Sequence, residues 1–172
     1  MQIGYTVITG LDGADRLLAD LAGTLSASGW RTCGVVQVNV RTWDDHRCDM
    51  DVQVLPAGQN IRISQSLGRM AKGCRLDPSA LAQAVADTET RLSTGADVLI
   101  INKFGKHEAE GRGFRDLIAE ALGQGVPVVL SVNERNLDAF LAFSQGLATQ
   151  VAADVPSLRC WLETLSGKTQ AA

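Results

Sequence analysis

Hydrophobic and polar positions alternate in blocks along the chain, and the block lengths predict the elements. Residues 2–9 read as a first strand, and the Gly10-Leu-Asp-Gly13 turn leads into a helix whose apolar positions Leu17, Leu18, Leu21, Ala22 and Leu25 follow helical spacing. After Gly29, residues 32–40 form a second apolar run. The pattern then changes to strict alternation over 49–55 and again over 60–64, with Pro56-Ala-Gly58 between them. Period-two alternation predicts an antiparallel hairpin with one wet face, an insertion at about 41–66 expected to project from the sheet. Beyond Asp77-Pro78 the order is helix (78 to about 91), strand (98–101), helix (114–122), strand (126–132), helix (about 137–143), short strand (149–152) and helix (156–165). Such alternation predicts a doubly wound α/β fold with a mainly parallel sheet. Residues 1–167 are expected to form a single domain, with 168–172 as a frayed tail.

The sharpest feature is the passage from the strand at 98–101 into Asn102-Lys-Phe-Gly-Lys-His-Glu-Ala-Glu-Gly-Arg112. A continuous aliphatic run fits a strand buried on both faces, and ligands of open α/β sheets bind at the carboxyl ends of such strands. This loop brings together Lys103, Lys106 and Arg112, with glycines that let backbone approach a ligand. The competing reading is a solvated loop in which Glu108 and Glu110 neutralise the cations, with His107 as a hydrogen-bonding loop residue. Arg75, just before the helix start at Asp77-Pro78, has a planar fork suited to tetrahedral oxyanions. Asp12 has two readings: a helix cap in the first turn, or a holder of a cation or substrate hydroxyl.

Composition narrows the function classes. The 172 residues carry 45% hydrophobic and 20% charged positions with a formal net charge of −3, which gives no general attraction to nucleic acid. No apolar run reaches membrane-spanning length and the N-terminus lacks a leader pattern, so neither membrane insertion nor export is expected, and a cytoplasmic protein is. Four scattered cysteines and two histidines make no metal-binding pair, so no metal site is expected and no cofactor is assigned.

The order strand, Asn102-Lys103, Gly105-Lys-x-Glu108 and then Phe114 resembles the Walker B region of the thermophilic-type nucleoside-triphosphatase family, which has an Asp-Glu pair where Asn102-Lys103 stands. The resemblance extends to Gly34-Val-Val, Leu55-x-x-Gly58, Gly73-Cys-Arg-Leu-Asp77 and Pro127-Val-Val-Leu-Ser-Val132, and it implies a P-loop-like fold. Gly10-Leu-Asp-Gly-Ala-Asp-Arg16 lacks the Lys and adjacent hydroxyl of the phosphate loop. The motifs Gly73-Cys-Arg-Leu-Asp77 and Asn102-Lys-Phe-Gly-Lys-x-Glu108 are also similar to those of an uncharacterised bacterial family often encoded beside molybdate-transport genes, which implies a molybdenum context. Three functions remain open on these grounds. The first is an accessory protein without ordinary NTP hydrolysis, holding a small oxyanion or phosphorylated ligand through Lys103, Lys106, Arg112, Arg75, Asn102 and Asp12. The second is a degenerate NTPase or nucleotide-dependent transferase in which Glu108 positions water and Asp12 binds metal. The third is a module that pairs with a protein partner through the hairpin at 49–64. If the fold is shared, the first turn and the end of the 98–101 strand become neighbours, with Asp12 expected to pair with Lys103.

Overall fold

The structure is a computed structural model, and it describes residues 2–8, 13–40, 49–65 and 76–167. Seven strands form one sheet in the order β4-β3-β2-β5-β6-β1-β7, with β1 at Ile3–Val7, β2 at Thr32–Val40, β3 at Asp49–Val54, β4 at Asn60–Arg62, β5 at Val98–Phe104, β6 at Val128–Val132 and β7 at Ala148–Gln150. Neighbours from β2 through β7 run parallel, whereas β3 is antiparallel to both β2 and β4. The predicted α/β class and the mainly parallel sheet are therefore observed.

Alternation along the central strands assigns the two layers. Val98 and Ile100 of β5 face α1 (Gly13–Ala27) and α6 (Val155–Ser166), meeting Leu18, Leu21, Leu25, Leu158 and Leu162. Leu99 and Ile101 face the other layer, where α2 (Pro78–Ser93), α4 (Arg115–Gly123) and α5 (Leu137–Ser144) supply Ala84, Leu92, Leu117, Ile118 and Phe140. Both sets on β5 are at most 1% exposed, so the strand's unbroken hydrophobic run is explained by burial on two faces. The parallel arrangement depends on a close approach at Gly34. This residue has φ +117°, and an added Cβ would collide with the Ile100 carbonyl of β5, so β2 and β5 pair here because the position carries no side chain.

Local signals fix the helix starts. Asp77 accepts from the backbone N–H groups of Ser79 (2.9 Å) and Ala80 (3.2 Å), with Pro78 in the first turn of α2, as the sequence predicts. Asp154 caps α6 in the same way through Ser157 N–H at 2.7 Å.

Two expectations are corrected. The hairpin does not project: β3 pairs with β2 from Val35↔Val54 to Val40↔Asp49 and extends the sheet, because Val52, Val54 and Ile61 place their apolar side on the same core as Val35. Its polar side carries the cross-strand pair Arg62–Asp51 at 3.0 Å, so the alternation matches the two sides of the hairpin and only its placement differs. The second correction is local. Residues 102–112, read as a loop, instead continue β5 to Phe104 and contain a short helix, α3, at Lys106–Ala109. The phosphate-loop turn at 9–12 and the tail at 168–172 lie outside the described residues.

Candidate functional site

At the carboxyl end of the sheet, under the first turn of α1, buried polar residues replace the aliphatic core. Parallel register sets Thr6 of β1 beside Ser131 of β6, and the Ser131 hydroxyl donates to the Asn102 carbonyl of β5. Asp15 of α1 closes the group from above. All four are buried, with Asn102 5% and Asp15 6% exposed.

Asn102 is the centre of this group. Its side-chain NH2 donates to an Asp15 carboxylate oxygen at 2.8 Å and lies 3.4 Å from the Gln37 side-chain oxygen, while its side-chain oxygen accepts from the Gln37 backbone N–H at 3.1 Å. The two ends of the amide are thus used for opposite purposes, because a carboxylate needs a donor and a backbone N–H needs an acceptor. Neither Asp nor Leu could satisfy both. The strand order puts β6 between β5 and β1, so the ends of those two strands are not direct neighbours. Among the described residues, α1 reaches the end of β5 through Asp15.

A second arrangement holds the turn that follows β5. Glu108 is 5% exposed, and its two carboxylate oxygens accept separately from the backbone N–H groups of Gly105 (2.8 Å) and Phe114 (3.1 Å). Its backbone carbonyl accepts from the Arg115 guanidinium at 3.0 Å, and that guanidinium lies over the Phe143 ring at 4.5 Å. Gly113, at φ +62°, leaves the space that Glu108 fills, since a Cβ there would strike the carboxylate. Glu108 therefore braces both ends of the α3 turn, and its charge faces two backbone donors.

The predicted cations separate into distinct environments. Lys106 lies 3.6 Å from Glu110, and Arg112 forms a close ion pair with the same carboxylate. The Arg112 hydrogen bond is the main cause holding the Glu110 carboxyl below its ordinary range. Lys103 is exposed at the strand end and forms no ion pair among the described residues. One carboxylate thus serves two of the three cations, and the region keeps positive charge, while Glu108 does not neutralise them as the solvated-loop reading supposed. Asp12 and Arg75 lie outside the described residues, as does the expected Asp12–Lys103 pair. Sequence reasoning assigned no ligand-site role to Asp15, Gln37 or Ser131. A signal for Asp15 exists: it stands two residues after Gly13, where the P-loop frame has its Ser or Thr two residues after the second Gly.

On the opposite face of the sheet a cavity of about 280 Å³ opens beside this turn, lined by Val35, Val52, Ile63, Leu81, Lys103 and Lys106 among others. Among the described residues no cluster of His, Cys, Asp and Glu is arranged to hold a metal ion, and no helix is long and apolar enough to cross a membrane.

Comparison with known proteins gives three findings. Residues 3–161 match the family described as "Protein of unknown function (DUF2478)". The molybdenum import ATP-binding protein ModC 2 of Bradyrhizobium diazoefficiens is 36% identical over 159 residues, covering 91% of this chain, and the chain spans only 18% of that protein's length. The crystal structure of THEP1 from the hyperthermophile Aquifex aeolicus superposes with a TM-score of 0.66 at 18% identity, covering 99% of this chain and 100% of that one. The fold is accordingly P-loop NTPase-like.

Proposed function

The chain belongs to the DUF2478 family, and we propose that it works as a P-loop-like accessory module, a single α/β unit over residues 1–167 that binds a small oxyanion or phosphorylated ligand without ordinary NTP hydrolysis. The observation that carries this reading is the Asn102–Asp15 hydrogen bond of 2.8 Å. In P-loop NTPases the Mg²⁺ ion is held by the phosphate-loop Ser/Thr and an acidic residue at the end of the Walker B strand. Here the two corresponding positions are an Asp and an Asn bonded to each other, and the Asn presents its donor side to the place where a cation would need an acceptor. The residues present do not fit that ion, and a lysine at the next position of β5 opposes it further. Loss of the metal would remove the main stabiliser of charge on a transferring phosphoryl group.

Anion binding draws support from the cations around the α3 turn. Lys106 and Arg112 share the Glu110 carboxylate as an ion-pair partner, and Lys103 has none among the described residues. Asn102 contributes by fixing the strand end, and Arg75 is proposed to complete the anion contact. A molybdenum context is supported by the similarity to a molybdenum import ATP-binding protein, a segment of which resembles nearly the whole of this chain.

The test pairs binding with turnover. Thermal melts with molybdate, tungstate, sulfate and phosphate should show stabilisation by at least one oxyanion, about 2.7 kcal/mol at 100 times Kd. The shift should shrink in Lys103→Met and Lys106→Met. Mg²⁺-dependent hydrolysis of any NTP at about 1 s⁻¹, abolished by Glu108→Gln, would overturn the reading.

A further inference from the structure

We infer that the cavity beside the α3 turn is the seat of the ligand's body, and that the ligand is a small planar ring compound carrying one acidic group. This deepens the anion-binding reading and rests on it. The cavity of about 280 Å³ lies just below the usual size range of small-molecule sites. Its wall is apolar along four elements: Val35 of β2, Val52 of β3, Ile101 of β5 and Leu81 of α2, with Ile63, Leu76 and Phe114 beside them. Its polar lining comes mainly from the end of β5 and from α3, with Asn102, Lys103, Lys106, His107 and Glu108, and Gln37 of β2 lies beside Asn102.

That division of chemistry selects the occupant. An inorganic oxyanion would leave the apolar wall uncovered, and a neutral hydrocarbon would leave the Lys103 ammonium unused. A rigid ring system fits the wall with little conformational entropy to lose, and an attached carboxylate, sulfonate or phosphate meets the lysines. Glu108 also lines the cavity, but its carboxylate oxygens are engaged by the Gly105 and Phe114 N–H groups, so the repulsion it offers an acidic ligand is moderated.

The experiment uses the full chain and two probes that differ only in the sulfonate group: 8-anilinonaphthalene-1-sulfonate and the neutral N-phenyl-1-naphthylamine. Fluorescence titration should give one site for the sulfonate, with methyl NMR shifts confined to the methyl groups that line the cavity, those of Met50 and Leu76 included. Lys103→Met should weaken the sulfonate about tenfold and leave the neutral probe within about twofold, and Lys103→Arg should restore the sulfonate. Leu81→Phe, which fills the cavity from α2, should weaken both probes, and unchanged circular dichroism would show that the variant is folded. Methyl shifts spread over other regions, more than one equivalent site, or equal losses of both probes in Lys103→Met would overturn the proposal. Stabilisation by phosphate or molybdate with no sulfonate binding would also overturn it while leaving the anion-binding reading intact. Mg²⁺-dependent NTP turnover in a protein that still binds the sulfonate at this site would overturn the functional reading alone.

Discussion

Replacing Asn102 by Asp changes one atom of the side chain and should be among the most damaging conservative substitutions in this protein. The NH2 group that donates to Asp15 at 2.8 Å becomes a carboxylate oxygen, in a place where the two residues are 5% and 6% exposed. Losing a hydrogen bond to a charged partner costs about 1.5–3 kcal/mol, and two carboxylates about 4 Å apart at an effective dielectric near 20 repel by roughly 4 kcal/mol. Proton uptake limits the second contribution, so a net loss of about 3 kcal/mol near neutral pH is expected. For a chain of this size that corresponds to a fall in Tm of roughly 6–12 °C. The sign of the pH dependence follows from linkage. Mutual repulsion raises the folded-state pKa of the new acid pair above its unfolded value, so the folded state holds a proton that the unfolded state releases. The variant's deficit is therefore largest above the raised pKa and shrinks as pH falls through it. Urea melts of wild type and variant from pH 4 to pH 8 measure this directly. Adding Asp15→Asn to Asn102→Asp restores one donor and one acceptor and should recover most of the loss. Millimolar Mg²⁺ should stabilise the single variant and leave the wild type unchanged. A loss under about 1 kcal/mol that does not vary with pH would show that Asp15 and Asn102 do not interact as described, and would remove the main support for a lost metal site.

Glu108→Gln leaves one carbonyl oxygen for two backbone donors, so a loss of about 2 kcal/mol is expected, with faster amide exchange at Gly105 and Phe114; unchanged exchange at both would contradict the brace. Gly34→Ala should prevent accumulation of folded protein, because the new Cβ meets the Ile100 carbonyl backbone and the residue has φ +117°; a soluble variant with native circular dichroism would refute that packing argument. Burial pushes the Cys33 thiol up to about 11, so native alkylation at pH 8 followed by peptide mapping should modify exposed Cys160 first and leave Cys33 protected. The same shift contributes stability that is complete below the thiol's unfolded pKa and is lost as pH rises through about 11, a fall visible in melts across pH 8–11 of wild type but not of Cys33→Ala.

The element order was legible because periodicity reports burial. The run Val98 to Ile101 indicated a strand covered on both faces, the alternation at 49–55 indicated one wet side, and Asp77-Pro78 marked a helix start by local capping chemistry alone. These are near-neighbour effects, written in consecutive residues. The resemblance to P-loop proteins likewise lay in contiguous motifs, and it led to the right fold. What sequence could not rank was which polar residues meet. Asp15 and Asn102 are 87 positions apart, and their contact exists only because α1 packs over β5, so no local pattern marks it, whereas the charges Asp12 and Lys103 are conspicuous in the sequence. The role of Glu108 was hidden for a similar reason: a carboxylate in a charged loop looks solvated until the fold closes the backbone of Gly105 and Phe114 around it. The hairpin shows the same division. Its alternation fixed which side is apolar, but whether that side projects or joins the sheet depended on the free edge of β2 being available to pair with it. Local patterns determine elements and their faces; long-range packing decides which buried polar groups become partners, because only burial makes an unpaired group costly enough to select among them.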